Sequence, residues 1–228
     1  MKLIPGYLAS VCLLLIIVAQ SIIIPTFHVM PYFSWHYEQR EIPQSIGIEK
    51  EELMHVTQEL LDYMRGRRDE IYTIYATVRG QERYFFSDIE VRHMIDVREL
   101  YDIAFMIRNA SFWMLLFLIL AMAFLKIPIL ATIARCSREV IAAFVILLVI
   151  LVGAIAIDFD RAFVMFHLLF FNNDYWILDP RVDLLINMVP QVFFVEISIM
   201  IGALLLAFSG LIVGLSTLYL KNVMPVRR

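Results

Sequence analysis

The chain has 228 residues, of which 61% are hydrophobic and 18% charged, with a mean hydropathy of +0.77 and a net charge of −3. A soluble domain of this length carries closer to a quarter charged residues, so the composition is that of an integral membrane protein. The small net charge, with no stretch interleaving basic and aromatic side chains, excludes a nucleic-acid surface.

Four segments reach the roughly 20 apolar residues needed to cross hydrocarbon: about 7–24, 111–130, 140–157 and 195–220. The first follows Lys2, yet it outruns a signal-peptide core and meets no small-x-small cleavage site before Pro25, so it reads as a retained anchor. Lys2, Lys126, Arg135, Arg138, Lys221, Arg227 and Arg228 gather on one side, opposed only by Glu139, which predicts cytoplasmic termini and a cytoplasmic 126–139 connection. An insertion at 25–110 and a loop at 158–194 then face outward, together with all five histidines. Cys12 and Cys136 fall in the first apolar run and the cytoplasmic connection, where a disulfide is not expected.

Within 25–43, three prolines and the rings of Phe27, Tyr32, Phe33, Trp35 and Tyr37 predict an irregular interfacial path, with His28 and His36 as polar tips. Residues 47–65 make an amphipathic helix. Leu53, Val56, Leu60, Leu61 and Met64 form its apolar face, Glu49, Glu51 and Glu52 suit its positive end, and Gly66 stops it. His55 lies beside the stripe as a half-exposed surface group. The alternating run 71–78, followed by VRGQERYFF, predicts a hairpin with Gly80 at its tip. Ser87 and Glu90 form a capping box that starts a helix leading towards the second span. On that helix His93, Asp96, Val97 and Leu100 share a face, which puts Asp96 in reach of one ring nitrogen of His93. Arg98 and Asp102 are spaced to pair. Spacing of this kind more often marks a structural pair than a catalytic one.

The loop 158–194 carries five aspartates, two arginines, His167 and a dense set of aromatics. Asp160 caps a short helix, 161–171, whose phenylalanines surround His167. An apolar setting lowers a histidine pKa and favours the neutral imidazole, the form that acts as a base. Asn172, Asn173 and Asp174 end that helix, and Tyr175 and Trp176 read as an interfacial anchor. Asp179 and Pro180 then start a second helix as cap and first residue, so Asp179 has a structural role available as well as a chemical one. Asp183 is placed to salt-bridge to an arginine, and Pro190 breaks the pattern before the last span. The loop contains no Ser, Thr, Cys or Lys. No CxxC, HExxH or GxSxG pattern occurs anywhere, so neither a zinc site nor an activated covalent nucleophile is indicated. Any enzymatic chemistry then falls to histidine acid–base catalysis on groups the substrate supplies.

Four spans, the capped HMIDVREL helix and FHLLFFNNDYWILDPRVDLLINMVPQVFF together resemble the bacterial lipoprotein intramolecular transacylase family of low-GC Gram-positive bacteria. The resemblance covers essentially the whole chain and is most specific in FH-x-x-FF-x-ND-x-W-x-LDP and HM-x-DV. It implies an all-α membrane protein of four transmembrane helices with an extracytoplasmic subdomain, and an acyltransferase of the bacterial plasma membrane that needs no cofactor. Its substrate would be a diacylated lipoprotein, whose sn-2 acyl chain moves onto the α-amine of the N-terminal cysteine to give the lyso form. On that reading His93 and His167 are catalytic and divide the base and oxyanion roles, which the sequence assigns to neither ring. Asp96 would orient His93, with Arg98, Asn172, Asn173, Asp174 and Asp179 in support and Tyr175 and Trp176 binding substrate; membrane lipids are a further expected partner. Two other classes are weighed. The first is a non-enzymatic receptor or transporter, of which transport is disfavoured because Glu196 is the main ionisable group in any span. A metal-dependent membrane hydrolase would draw its ligands from distant segments with no recognised spacing.

Overall fold

A computed structural model describes residues 3–223; Lys2, Arg227 and Arg228, used above for orientation, lie outside the described residues. The described residues are mostly helical, with one β-hairpin and four helices long and apolar enough to cross a membrane. In order these elements are α1 (Ile4–Phe27), α2 (Met30–Gln39), α3 (Ile42–Ile46), α4 (Lys50–Met64), β1 (Tyr75–Val78), β2 (Gln81–Tyr84), α5 (Asp88–Phe124), α6 (Ile129–Ile157), α7 (Phe159–Phe170), α8 (Leu185–Met188) and α9 (Gln191–Val223). Two compact units result. One contains the described residues up to Ile23, Ala104–Asp158 and those from Ile199 onward; the other contains Ile24–Ile103 and Phe159–Ser198.

The first unit is a helix bundle. Ala9, Cys12, Leu118 and Met122 form one buried cluster, and Ile17, Ile141, Leu148 and Leu205 another. Small residues let α1 and α6 approach closely, the usual device where helices meet without a hydrophobic drive. A Cβ on Gly6 would stand 2.6 Å from Thr132 Cγ2. The Ser10 hydroxyl donates to the Gly6 carbonyl at 2.8 Å, so at its 3.0 Å contact with Ser137 it accepts. Large apolar side chains such as Ile146, Leu147, Ile150 and Leu218 stand exposed on the outside, as a hydrocarbon solvent requires.

Hydropathy marks the lipid-crossing stretch of a helix and not its ends. Helix α5 runs unbroken from the capping box and stops at Phe124, short of the expected Leu130, while α6 begins at Ile129, well ahead of Val140. The connection is therefore a tight turn, and Arg135, Arg138 and Glu139 sit on the early turns of α6, where Thr132, Cys136 and Ser137 face inward. The irregular path expected for 25–43 is also corrected. Pro31 and Pro43 occupy first-turn positions of α2 and α3, where a missing N–H leaves no bond unmade, and Pro25 sits inside α1 near its end.

In the second unit, α4 buries Leu53, Val56, Leu60, Leu61 and Met64, together with Thr57 and Tyr63, and Gly66 leaves it with φ 70°. Tyr37 on α2 donates its hydroxyl to Thr57 at 2.9 Å, the Thr57 hydroxyl being committed to the Leu53 carbonyl. The hairpin is shorter than expected. Ile71 and Ile74 are buried in a turn ahead of it, and the strands pair Tyr75 with Tyr84 and Val78 with Gln81. Arg79 and Gly80 both have positive φ, 53° and 77°, the two-residue turn whose twist matches antiparallel strands. The Arg79 amide donates to the Gly47 carbonyl at 2.6 Å, and Glu52 accepts the Thr77 amide at 2.7 Å, which fixes the hairpin to the α3–α4 corner. Gly47 has φ 81°, and an added Cβ would stand 2.6 Å from Arg79 Cγ. The Gly47→Ala variant is expected to lose at least about 1 kcal/mol of stability, read as a lower thermal midpoint of the purified protein.

Candidate functional site

The site is built entirely within the second unit. His93 lies on α5 about two turns after its capped start, well before the apolar run that begins at Ser111; His167 lies near the end of α7. The two rings come together with centroids 5.9 Å apart and planes inclined by 35°. Both are enclosed, at 9% and 7% exposure. Phe171 meets both, at 5.4 Å from His93 and 5.6 Å from His167, and Phe163 lies 4.3 Å from His167. Trp176 stacks on the His167 ring at 4.7 Å and 27°. Trp176 is thus packed directly against the His167 ring.

Their electrostatics follow from this enclosure. Burial lowers the pKa of His167, opposed by its hydrogen bond to the Phe163 carbonyl, which favours the charged form. Burial, then the neighbouring His167, brings His93 down to about 4, against an upward pull from Asp96. A histidine that charges near pH 6.5 when unfolded but near 4 when folded makes protons favour the unfolded chain. Stability is therefore lost as pH falls from 6.5 towards 4. Thermal unfolding between those limits is expected to show a falling midpoint, with a shallower fall in His93→Phe.

Several supporting roles expected from spacing are corrected. Asp96 is not bonded to His93. Its carboxylate accepts the Asn173 amide at 2.8 Å, and His93 Nδ1 is buried with no hydrogen-bond partner among the described residues. A short carboxylate three residues along the helix was won by an amide donor facing it from another segment. Asn173 also accepts the Tyr175 backbone N–H at 3.1 Å, so Asp96 shapes the turn carrying Tyr175 and Trp176. Arg98 does not pair with Asp102. Its guanidinium lies over Tyr63 at 4.7 Å and reaches the Arg68 carbonyl at 3.3 Å, contacts better sheltered than an exposed helical ion pair. Asn172 and Asp174 are exposed. Asp179 starts a turn rather than a helix: its carboxylate takes the Arg181 amide and guanidinium, which hold its pKa down to about 2. Tyr175 lies beneath the exposed Arg92 at 5.5 Å.

Two groups have settings other than those the sequence suggested. Among the described residues Asp183 pairs with no arginine; it is buried, accepting the Ser87 hydroxyl at 2.9 Å and the Asp179 amide at 2.8 Å. His36, read as an interfacial tip, is fully buried and lies 2.8 Å from Glu196, which also accepts from Tyr32 at 2.6 Å and Arg40 at 3.0 Å. The only signal for that cluster was a lone carboxylate at the start of an apolar helix. His28 and His55 are exposed. Among the described residues, no three His, Cys, Asp or Glu side chains converge as a metal site requires.

The family model for the lipoprotein intramolecular transacylase Lit matches residues 7–194. No curated protein sequence matches the chain. Among solved structures, the in meso structure of the membrane integral lipoprotein intramolecular transacylase Lit from Bacillus cereus is similar, with a TM-score of 0.79 at 21% identity over 98% of this chain and 97% of that one. A variant of the Bacillus cereus protein with one histidine changed to alanine gives a TM-score of 0.73 at 21% identity, over 98% and 95% of the two chains.

Proposed function

The chain belongs to the lipoprotein intramolecular transacylase family, membrane acyltransferases, and from that membership we propose that it moves the sn-2 acyl chain of a diacylglyceryl lipoprotein onto the α-amine of the lipoprotein's N-terminal cysteine, without an acyl-enzyme. The observation that carries the division of roles is His167 Nδ1 lying 2.7 Å from the Phe163 carbonyl oxygen. A carbonyl only accepts, so Nδ1 bears the hydrogen and Nε2 carries the lone pair. His167 is the base. His93 has the opposite tautomer: its buried Nδ1 has no partner among the described residues, and orphaned buried N–H groups are rarer than orphaned acceptors. Its hydrogen then sits on Nε2, which makes His93 the donor.

The amine nitrogen attacks the sn-2 ester carbonyl, and a C–N bond forms. His93 Nε2–H stabilises the oxyanion, a contribution of typically about 3 kcal/mol for one such donor. His167 Nε2 takes the amine proton and returns it to the glycerol oxygen as the C–O bond breaks. The product is an isomer of the substrate, so no water or second substrate is consumed. Because amine and ester belong to one molecule, the enzyme's main task is to fold the headgroup into attack geometry. Trp176 fixes the plane of His167, Asp96 and Asn173 hold the turn beneath it, and Tyr175 with Arg92 forms a rim for the lipopeptide.

The acceptor amine titrates near pH 8 and must be neutral to attack, while His167 loses its base function only below its lowered pKa. The logarithm of kcat/KM is expected to rise with unit slope between about pH 6.5 and 7.5 and to steepen at lower pH as His167 also protonates. A profile that stays flat down to pH 6 would contradict the scheme.

The site is proposed to face outside, with both termini in the cytoplasm, on the strength of Lys126, Arg135, Arg138 and Lys221 at the span ends. Helix α7 exposes Met165, Leu168 and Leu169, the last at 77%, which supports its lying among membrane lipids with His167 on its inner face. Tandem mass spectrometry of a lipoprotein N-terminus from cells with and without this chain tests the reaction. The expected result is an unchanged total mass with one acyl group moved from glycerol to nitrogen. An acyl distribution that does not depend on the chain would refute it.

A further inference from the structure

We propose that Glu90 and Asp183 are positioning residues of the transacylation, forming a buried clamp that ties the loop bearing Trp176 to the helix bearing His93. This rests on the transacylase reading above. Glu90 stands one turn before His93 and is 1% exposed. Both its oxygens accept backbone amides: one takes Ser87 N–H at 2.6 Å, closing the helix start, and the other takes Leu185 N–H from the far end of the loop. Asp183, 5% exposed, completes the connection by accepting the Ser87 hydroxyl with Oδ1 and the Asp179 amide with Oδ2. One turn beyond His93, Asp96 grips Asn173 at the near end of the same loop. Helix α5 therefore holds the loop at two places that straddle His93, and Trp176, stacked on His167, lies between the two anchor points in sequence. Burying two carboxylates near each other is costly, and burial raises the pKa of Glu90. A capping box alone would not need its glutamate buried.

Donor and acceptor identities fix which substitutions are tolerated. In Glu90→Gln one backbone N–H must face the carboxamide NH2, so the clamp opens. In Asp183→Asn the carboxamide oxygen still accepts the Asp179 amide while its NH2 donates to the Ser87 hydroxyl, so the clamp holds. Asp183→Ala removes both bonds.

The test uses the purified full-length chain with Trp35 and Trp113 changed to Phe, so that emission reports Trp176 alone, and a synthetic diacylglyceryl-cysteine lipopeptide in lipid. Glu90→Gln and Asp183→Ala are expected to shift Trp176 emission to the red and to lower kcat on the order of 10²-fold, as misplacement remote from the reacting atoms does. Asp183→Asn keeps both properties near those of the parent. A folded Asp183→Ala protein with parental emission and kcat overturns the clamp, and so does an Asp183→Asn protein as impaired as Asp183→Ala. Should Asp183→Ala fail to fold, Ser87→Ala against Ser87→Thr asks the same question of one hydroxyl, with Thr expected to rescue emission and rate. If the parent itself does not isomerise the lipopeptide, the transacylase reading fails, while Trp176 emission still decides whether the clamp holds the loop.

Discussion

Replacing His167 with alanine is expected to lower transacylation by about 10²–10⁴-fold, the usual worth of a positioned acid–base group, while the protein still accumulates in the membrane. The loss should fall on kcat, because in the proposed scheme the side chain acts when the amine gives up its proton. The Phe163 carbonyl makes the choice of substitute informative. Glutamine still places an N–H near that carbonyl but supplies no basic nitrogen, so His167→Gln should fold as the parent does and be as inactive as the alanine variant. Initial rates of N-acyl formation from a synthetic diacyl lipopeptide check both variants. Parental rates in His167→Gln would remove His167 from the base role.

The second large effect is expected at His93, where the proposed scheme loses a donor rather than a base. His93→Ala is expected to cost about 10²–10³-fold in kcat, the range for one oxyanion donor. His93→Gln, which retains an N–H of similar reach, should keep more activity than His93→Ala. The contrast separates the two rings: glutamine rescues in part at position 93 and not at 167. Equal loss in His93→Gln and His93→Ala would point to proton transfer by His93 itself. The rings are 5.9 Å apart, so the two substitutions should be strongly non-additive, the double variant being little worse than His167→Ala.

Much of this was legible in the sequence because it depends on local pattern. Apolar runs gave the spans, the stripe on α4 gave its buried face, and Ser87 with Glu90 gave the start of α5. Helix ends were less legible, since α6 continues through Arg135 and Arg138 by burying small residues on one side and leaving charges on the other. Prolines 31 and 43 misled because a proline that breaks a helix interior also suits a first turn. Within the site the rings of His93 and His167 were readable and their partners were not. Spacing assigned Asp96 to His93 and Arg98 to Asp102, but partners brought by other segments took them instead: the Asn173 amide donates to Asp96, and Arg98 donates to the Arg68 carbonyl and lies over the Tyr63 ring. The Glu196 cluster and the second use of Glu90 join residues far apart along the chain, and no periodicity reports such pairs.

The most direct test of two histidines moving an acyl group within one molecule is a crossover measurement. The purified chain in lipid vesicles would be given a mixture of two diacyl lipopeptides, one light throughout and one deuterated in both acyl chains and in the peptide, with products read by tandem mass spectrometry. The account predicts N-acylated products of unchanged mass, heavy on heavy and light on light only, and their loss in His167→Ala. Mixed heavy–light products, an acyl group carried on the protein, or undiminished conversion by His167→Ala would contradict it.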